Sequence, residues 1–329
     1  MSASPDSKTV LITGANGQDG VYLVERLVGD GHEVHGLSHS EAGAVALSAS
    51  FPSATTHVSD LADTAGMIDI MTRVRPTHVF NLAGNTSVER SWQFPTETAD
   101  VLGLGPIRLL EAAWNLRETS DHPVRFLQAS SAEIFGEATV VPQTETTPRI
   151  PVTPYGVAKS FAHEMVGVYR ARGLFASSAI LYNHESPRRP QSFVSRKISR
   201  EAAKIALGLS DNITLGNIDV QRDWGYAPDY VDAMIRILDT PAPGDYVVAT
   251  GVAHSVRQFV ETAFAYLGIE DWTSYVTIDH SLYRPADPKH LVGEPSKLRA
   301  IGWKPSVDFE QLVHIMVEAD IADLRAAAH

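Results

Sequence analysis

The segment Ser130-Ser131-Ala132-Glu133 sets a carboxylate two residues after a serine at an expected strand end, and Tyr155-Gly156-Val157-Ala158-Lys159 follows downstream. A tyrosine and a lysine four apart lie on one helix face. The Lys159 ammonium is therefore expected to favour the phenolate of Tyr155 below its reference pKa of about 10. Such a phenolate is a base that draws a proton off a sugar hydroxyl while hydride leaves the same carbon. A simple dehydrogenase needs nothing more. Glu133 is an additional acid/base group, and its presence points to removal of a C–H proton followed by loss of water.

These groups need a scaffold, and the chain's rhythm supplies one. Short apolar strands at 9–13, 33–37, 79–82, 124–129 and 175–181 alternate with helical stretches, as in a parallel α/β sheet. The helix over 154–171 carries Tyr155 and Lys159 in its first turns. After about residue 184 the rhythm turns irregular, with prolines at 187 and 190 and a basic helix from about Phe193; 216–247 reads as a return to the first unit. The expected fold is a Rossmann-type doubly wound parallel sheet with a smaller, discontinuous α/β C-terminal substrate domain. Residues 1–184 plus about 216–252 would form the dinucleotide-binding domain, and about 185–215 plus 253–329 the nucleotide-sugar-binding domain.

Bulk properties bound the partners. With 329 residues, 44% hydrophobic and 20% charged, the chain reads as a soluble globular protein of about two domains. A net charge of −12, from 27 basic and 39 acidic residues, argues against nucleic acid and acidic membrane surfaces. The absence of cysteine excludes disulfides and thiolate chemistry, and no metal is expected. Residues 1–8 are polar, and no apolar run approaches the roughly 18 residues of a membrane helix, so a cytoplasmic location is expected.

The turn Thr13-Gly14-Ala15-Asn16-Gly17-Gln18-Asp19-Gly20 follows the first strand and opens a helix. Gly14 permits the tight turn, Gly17 lets backbone approach a pyrophosphate, and Gly20 allows close helix–sheet packing. Helix N–H groups and dipole favour the bound phosphates. Asp60-Leu61 and Leu82-Ala83 fall where adenine and ribose contacts are expected. The second strand ends in Ser38-His39-Ser40, neither the acid that selects NAD nor the arginine that selects NADP. NADP is the expected cofactor, with NAD the alternative, and Ser38 and His39 the residues nearest its 2′ position. Arg188, Arg189, Arg196, Lys197, Arg200 and Lys204 crowd into 17 positions of an acidic chain, and Arg222 and Arg284 lie beside aromatic residues. Some of these are expected to grip a diphosphate.

Together these residues resemble the extended short-chain dehydrogenase/reductase family, and within it the GDP-mannose 4,6-dehydratases. The most specific strings are Gly17-Gln18-Asp19-Gly20, Gln128-Ala129-Ser130-Ser131-Ala132-Glu133, Tyr182-Asn183-His184-Glu185-Ser186-Pro187-Arg188-Arg189 and Arg222-Asp223-Trp224-Gly225. The resemblance implies internal redox. Tyr155, aided by Lys159 and Ser131, would take the 4-hydroxyl proton as hydride leaves C4. Glu133 would take the C5 proton as water leaves C6, and hydride would return to C6. It further implies contacts to a GDP-sugar from Asn183, Val194, Lys197, Leu215, Arg222, Arg284 and Asp287, and a homodimer or homotetramer. Ser131 stands where the family usually has threonine, Asp287 where it has glutamate, and Ser38-His39-Ser40 where it has arginines. The loop from there to about Phe51 is shorter than usual, and Asn85 to Arg90 and Pro190-Gln191 differ near the sugar, so another GDP-hexose or heptose stays open. Two other readings stand beside the dehydratase: a GDP-4-keto-6-deoxysugar reductase or 4-epimerase, which does not need Glu133, and a noncatalytic nucleotide-binding protein.

Overall fold

The protein, represented by a computed structural model, is described for residues 7–283, 288 and 290–327; Arg284 and Asp287 lie outside the described residues. The strands are β1 (Thr9–Thr13), β2 (Glu33–Ser38), β3 (Thr55–Val58), β4 (His78–Asn81), β5 (Arg125–Ser131), β6 (Phe175–Leu181), β7 (Asn183–Glu185), β8 (Ile213–Leu215), β9 (Gln221–Tyr226), β10 (Asp245–Val248), β11 (Ala253–Ser255), β12 (Val276–Ile278) and β13 (His290–Leu291). The helices are α1 (Gln18–Gly29), α2 (Glu41–Ser50), α3 (Thr64–Val74), α4 (Val88–Gln93), α5 (Pro95–Ala99), α6 (Gly105–Ser120), α7 (Pro154–Ala171), α8 (Val194–Ala206), α9 (Ala227–Asp239), α10 (Val256–Tyr266), α11 (Ser296–Ala300) and α12 (Phe309–Ala326).

Seven strands form a parallel sheet in the order β10-β6-β5-β4-β1-β2-β3. Val10, Leu11 and Ile12 are all buried because helices cover both faces, the usual cause of an unbroken apolar strand. On one face Leu23, Val24 and Leu27 of α1 pack with Met234 and Ile237 of α9. On the other, Met67 and Met71 of α3 meet Leu109 and Ala113 of α6 and Val166 of α7. Each such fully buried side chain contributes about 1.5–3 kcal/mol.

The stretch expected to be a loop up to Phe51 is instead α2. Ser40 caps it by accepting from the Gly43 amide, and an alanine-rich sequence sustains it. Of residues 216–247, α9 and β10 join the large sheet, whereas β9 pairs with β7, β11 and β13 in a second, four-stranded sheet. A third, two-stranded sheet joins β8 to β12. Next to these lies a separate core built from Ile198 and Ala202 of α8, Phe259 and Val260 of α10, and Val313 and Met316 of α12, with Trp224 among them. Much of the basic cluster serves this packing: Arg196 and Arg200 both reach the buried Asp320 of α12, at 2.9 and 3.1 Å.

Strand order reverses between β1 and β4, which opens a crevice at their carboxyl ends. A buried chain of polar groups spans that reversal. The Thr13 hydroxyl donates to Asn81 Oδ1 at 2.6 Å and accepts from the Leu82 and Ala83 amides; Asn81 Nδ2 donates to Gln128 Oε1 at 2.8 Å; Gln128 Nε2 donates to the Ala129 carbonyl. Thr13→Val keeps the volume but strips the hydroxyl from two amides and one amide oxygen. Chemical denaturation is expected to show a loss of about 1–3 kcal/mol, with Thr13→Ser restoring most of it.

Candidate active site

β5 ends at Ser131, whose hydroxyl accepts from the Glu133 amide at 3.2 Å and so starts the 3₁₀ turn that carries Glu133. The buried neighbours Ala132, Ile134 and Phe135 anchor that turn in the protein. Across from it, Thr153 caps α7 by accepting from the Gly156 amide at 3.0 Å, and Pro154 opens the helix. A Cβ on Gly156 would sit 2.6 Å from the Glu133 carbonyl oxygen, so glycine is what lets α7 close on the Glu133 turn. Tyr155 is thereby buried against Leu102 and Ala158, within hydrogen-bonding reach of Ser131 and near Glu133. The four residues singled out from the sequence thus lie together where β5 ends and α7 begins.

Their electrostatics differ from the expectation. Burial pushes the Tyr155 hydroxyl up to about 12, with the Ser131 hydrogen bond and Arg189 pulling down and Glu133 and Asp19 pushing up. Lys159 does not lower it: its ammonium donates to the Ala129 carbonyl at 2.8 Å and stands 5.8 Å from the Tyr155 ring centre. Burial brings Lys159 itself down to about 8, opposed by the Asp19 carboxylate. The cation that does pull on Tyr155 is Arg189, a member of the basic cluster. Its signal lay in the string over residues 182–189.

The glycine turn fits a dinucleotide. Gly14 has φ +67°, and a Cβ there would lie 2.9 Å from the Ala83 backbone, while one on Gly20 would overlap the Gly14 carbonyl. Gly17 caps α1 without a side-chain bond, leaving a bare helix N-terminus, and its own Cβ direction meets only the Gly14 carbonyl oxygen. Asn16 is exposed beside the turn, and Asn16 Nδ2, the Ser38 hydroxyl and the Ser40 hydroxyl converge on Gly43 in the first turn of α2. His39 is exposed next to them. Asp60 is exposed and caps the Ala62 amide, Leu61 is buried, and the Leu82 and Ala83 amides are held by Thr13. Gln18 and Asp19 turn elsewhere: Gln18 bonds the His184 carbonyl and Ser186, and Asp19 Oδ2 meets His184 Nε2 at 2.8 Å.

Asn183 opens β7, directly after the large sheet's β6, and pairs with Trp224 of β9. Val194 begins α8, and one turn later Lys197 Nζ donates to the Thr214 carbonyl at 2.6 Å, next to the buried Leu215 of β8. Arg222 is buried and donates to the carbonyls of Gln221 and Pro288. Arg188 lies 5.4 Å over Tyr22, Arg189 pairs with Glu185, and Lys204 with Glu201. The cations that looked like a phosphate grip are largely committed to the protein's own acids and rings.

The sequence profile of the GDP-mannose 4,6 dehydratases matches residues 11–316. The Arabidopsis thaliana protein GDP-mannose 4,6 dehydratase 2 is 43% identical over 333 residues, covering 95% of this chain and 87% of the relative. The Homo sapiens GDP-mannose 4,6 dehydratase is 41% identical, covering 96% and 92%. Among solved structures, Thermus thermophilus UDP-glucose 4-epimerase complexed with NAD superposes with a TM-score of 0.82 at 28% identity, covering 94% of this chain and 98% of that one. RMD from Pseudomonas aeruginosa complexed with NADPH gives 0.79 at 24%, covering 96% and 100%, a likeness of fold. The Rossmann-type sheet, the glycine turn and the clustering of Ser131, Glu133, Tyr155 and Lys159 agree with that kinship, and the chain belongs to the GDP-mannose 4,6-dehydratase family.

Proposed function

We propose that this protein converts GDP-D-mannose to GDP-4-keto-6-deoxy-D-mannose. The observation that carries the reading is Glu133, held by Ser131 beside Tyr155 in one buried site. When bound, a nicotinamide dinucleotide supplies reversible hydride acceptance, from C4 of the sugar and back to C6. Ser131 holds the C4 oxygen by a hydrogen bond, and Tyr155, in its phenolate form, receives the proton of the C4 hydroxyl. The resulting ketone acidifies the C5 proton. Glu133, as carboxylate, removes that proton and delivers it to the departing C6 hydroxyl, so one water leaves; as hydride returns to C6, C5 takes up one proton, which balances the one Tyr155 received, and no net oxidation remains. Lys159, by donating to the Ala129 carbonyl, ties the first turns of α7 to β5 and so holds Tyr155 beside Ser131.

We assign NADP as the cofactor. The end of β2 offers no carboxylate for a ribose diol, and Asn16, Ser38 and Ser40 gather at the N-terminus of α2, which suits a phosphate. The large sheet, with α9 and β10, serves the cofactor. About 185–215 and 253–329 serve the nucleotide sugar, with Asn183, Val194, Lys197, Leu215 and Arg222 toward it. We further propose a homodimer through α7. Val157, Phe161 and Val168 expose an apolar stripe, and the first two line a groove of about 680 Å³ with Trp92, Leu104 and Pro151. Among the described residues no helix is long and apolar enough to cross a membrane, and we place the protein in the cytoplasm.

Mass spectrometry of GDP-mannose incubated with the protein and catalytic NADP, with NAD in parallel, tests the reading. A product lighter by one water without accumulated reduced cofactor is expected, faster with NADP. An epimerised sugar of unchanged mass would move the assignment to the epimerase, and unchanged GDP-mannose with reduction of a GDP-4-keto-6-deoxysugar would move it to the reductase. Glu133→Gln is expected to pass hydride from C4 yet release no water, and Tyr155→Phe to lose hydride transfer at least a hundredfold while still binding GDP. In the cofactor-free protein, the ¹³Cε resonance of Lys159 is expected to titrate near pH 8, the side chain charged below and neutral above, against roughly 10.4 for exposed lysines. Sedimentation of Phe161→Glu is expected to give a monomer where the wild type is dimeric.

A further inference from the structure

The first two residues of α1 have their backbone at the phosphate-facing helix end, yet their side chains are committed to the segment that follows β6. Asp19 and His184 are mostly buried, with side-chain exposures of 17% and 12%, and meet at 2.8 Å. The other ring nitrogen of His184, Nδ1, faces the Tyr182 carbonyl at 2.7 Å. Both partners are pure acceptors, so both ring nitrogens must carry a proton and the ring is an imidazolium. The carboxylate next to it raises the His184 pKa against the opposing pull of burial, in agreement with that geometry. Tyr230 stacks on the ring at 4.6 Å and sets its plane. Gln18 doubles the connection, donating to the His184 carbonyl at 3.1 Å and accepting from Ser186 at 2.9 Å.

We propose that Asp19 and His184 form a buried ionic latch that positions residues 182–189 on the cofactor turn and thereby couples binding of the dinucleotide to binding of the nucleotide sugar. The identity of that second ligand rests on the dehydratase reading above; the latch itself rests on the contacts. The latched segment carries Asn183 and runs through Arg189, which pairs with Glu185 and lies 3.7 Å over Phe193, the cap of α8. The latch also resolves a charge conflict. A carboxylate in the first turn of α1 suits the helix dipole but opposes an arriving pyrophosphate. The imidazolium cancels that repulsion from the side where the sugar-nucleotide segment lies. Asp19 and His184 are thus positioning residues: they touch the groups that meet ligand.

The test measures binding rather than turnover. Dissociation constants of NADPH for the full-length protein are taken with and without saturating GDP, by calorimetry, alongside the melting temperature. In the wild type GDP is expected to tighten NADPH roughly five- to tenfold. Asp19→Asn, which keeps the shape and removes the charge, is expected to bring that factor close to one. His184→Gln, which still reaches the Tyr182 carbonyl, should do the same, and the double variant should be no worse than either single one. In steady state the KM for the sugar nucleotide should rise more than kcat falls. A coupling factor in both variants equal to that of the wild type, whatever the melting temperature, overturns the latch, as does a wild type with no coupling. A wild type that couples the two ligands but releases no water from GDP-mannose would overturn the dehydratase reading and leave the latch standing.

Discussion

Everything near the site hangs on the polar chain from Thr13 through Asn81 and Gln128 to the Ala129 carbonyl. It is buried, with Thr13 fully so, and it crosses from the carboxyl ends of β1 and β4 to the middle of the adjacent β5. Left unsatisfied, each group would cost roughly 1–3 kcal/mol, so the strands can hold only the relative register that closes the chain. Its first member fixes the backbone of Leu82 and Ala83 against Gly14, and its last shares a carbonyl with Lys159. The glycine turn and the lysine of α7 are therefore parts of one rigid frame. Ser131 follows on the same strand as Gln128, which places the Glu133 turn within that frame as well.

The sequence was most legible where one residue type has one physical reason to be there. The glycine turn, the apolar strands and the helix from Pro154 to Ala171 follow from backbone freedom, burial on both faces and a Thr-Pro helix start. The strand ends at Asn81 and Ser131 differ from the sequence reading by one or two residues, since hydrogen-bond pairing rather than side-chain type terminates them. α2 is hard to read from the sequence because its apolar residues have little helical periodicity. The double duty of Arg196 and Arg200 could not be foreseen either, because Asp320 lies 120 or more residues away in the chain. Charge clusters read from sequence carry no information about distant partners.

Electrostatics was the other illegible part. A tyrosine and lysine four apart suggest a lowered phenol, but burial raises it and the ammonium is turned to a carbonyl. The phenol of this protein is consequently a reluctant acid.

α7 presents two unlike faces. Tyr155, Gly156, Lys159, His163 and Val166 point into the protein, while Val157, Phe161, Glu164 and Val168 follow the opposite side at helical spacing. One face is set by chemistry and sheet packing, and the other is mainly greasy. A helix with so few indifferent positions has little room for neutral drift. α7 should alter only by paired exchanges that respect both of its neighbours.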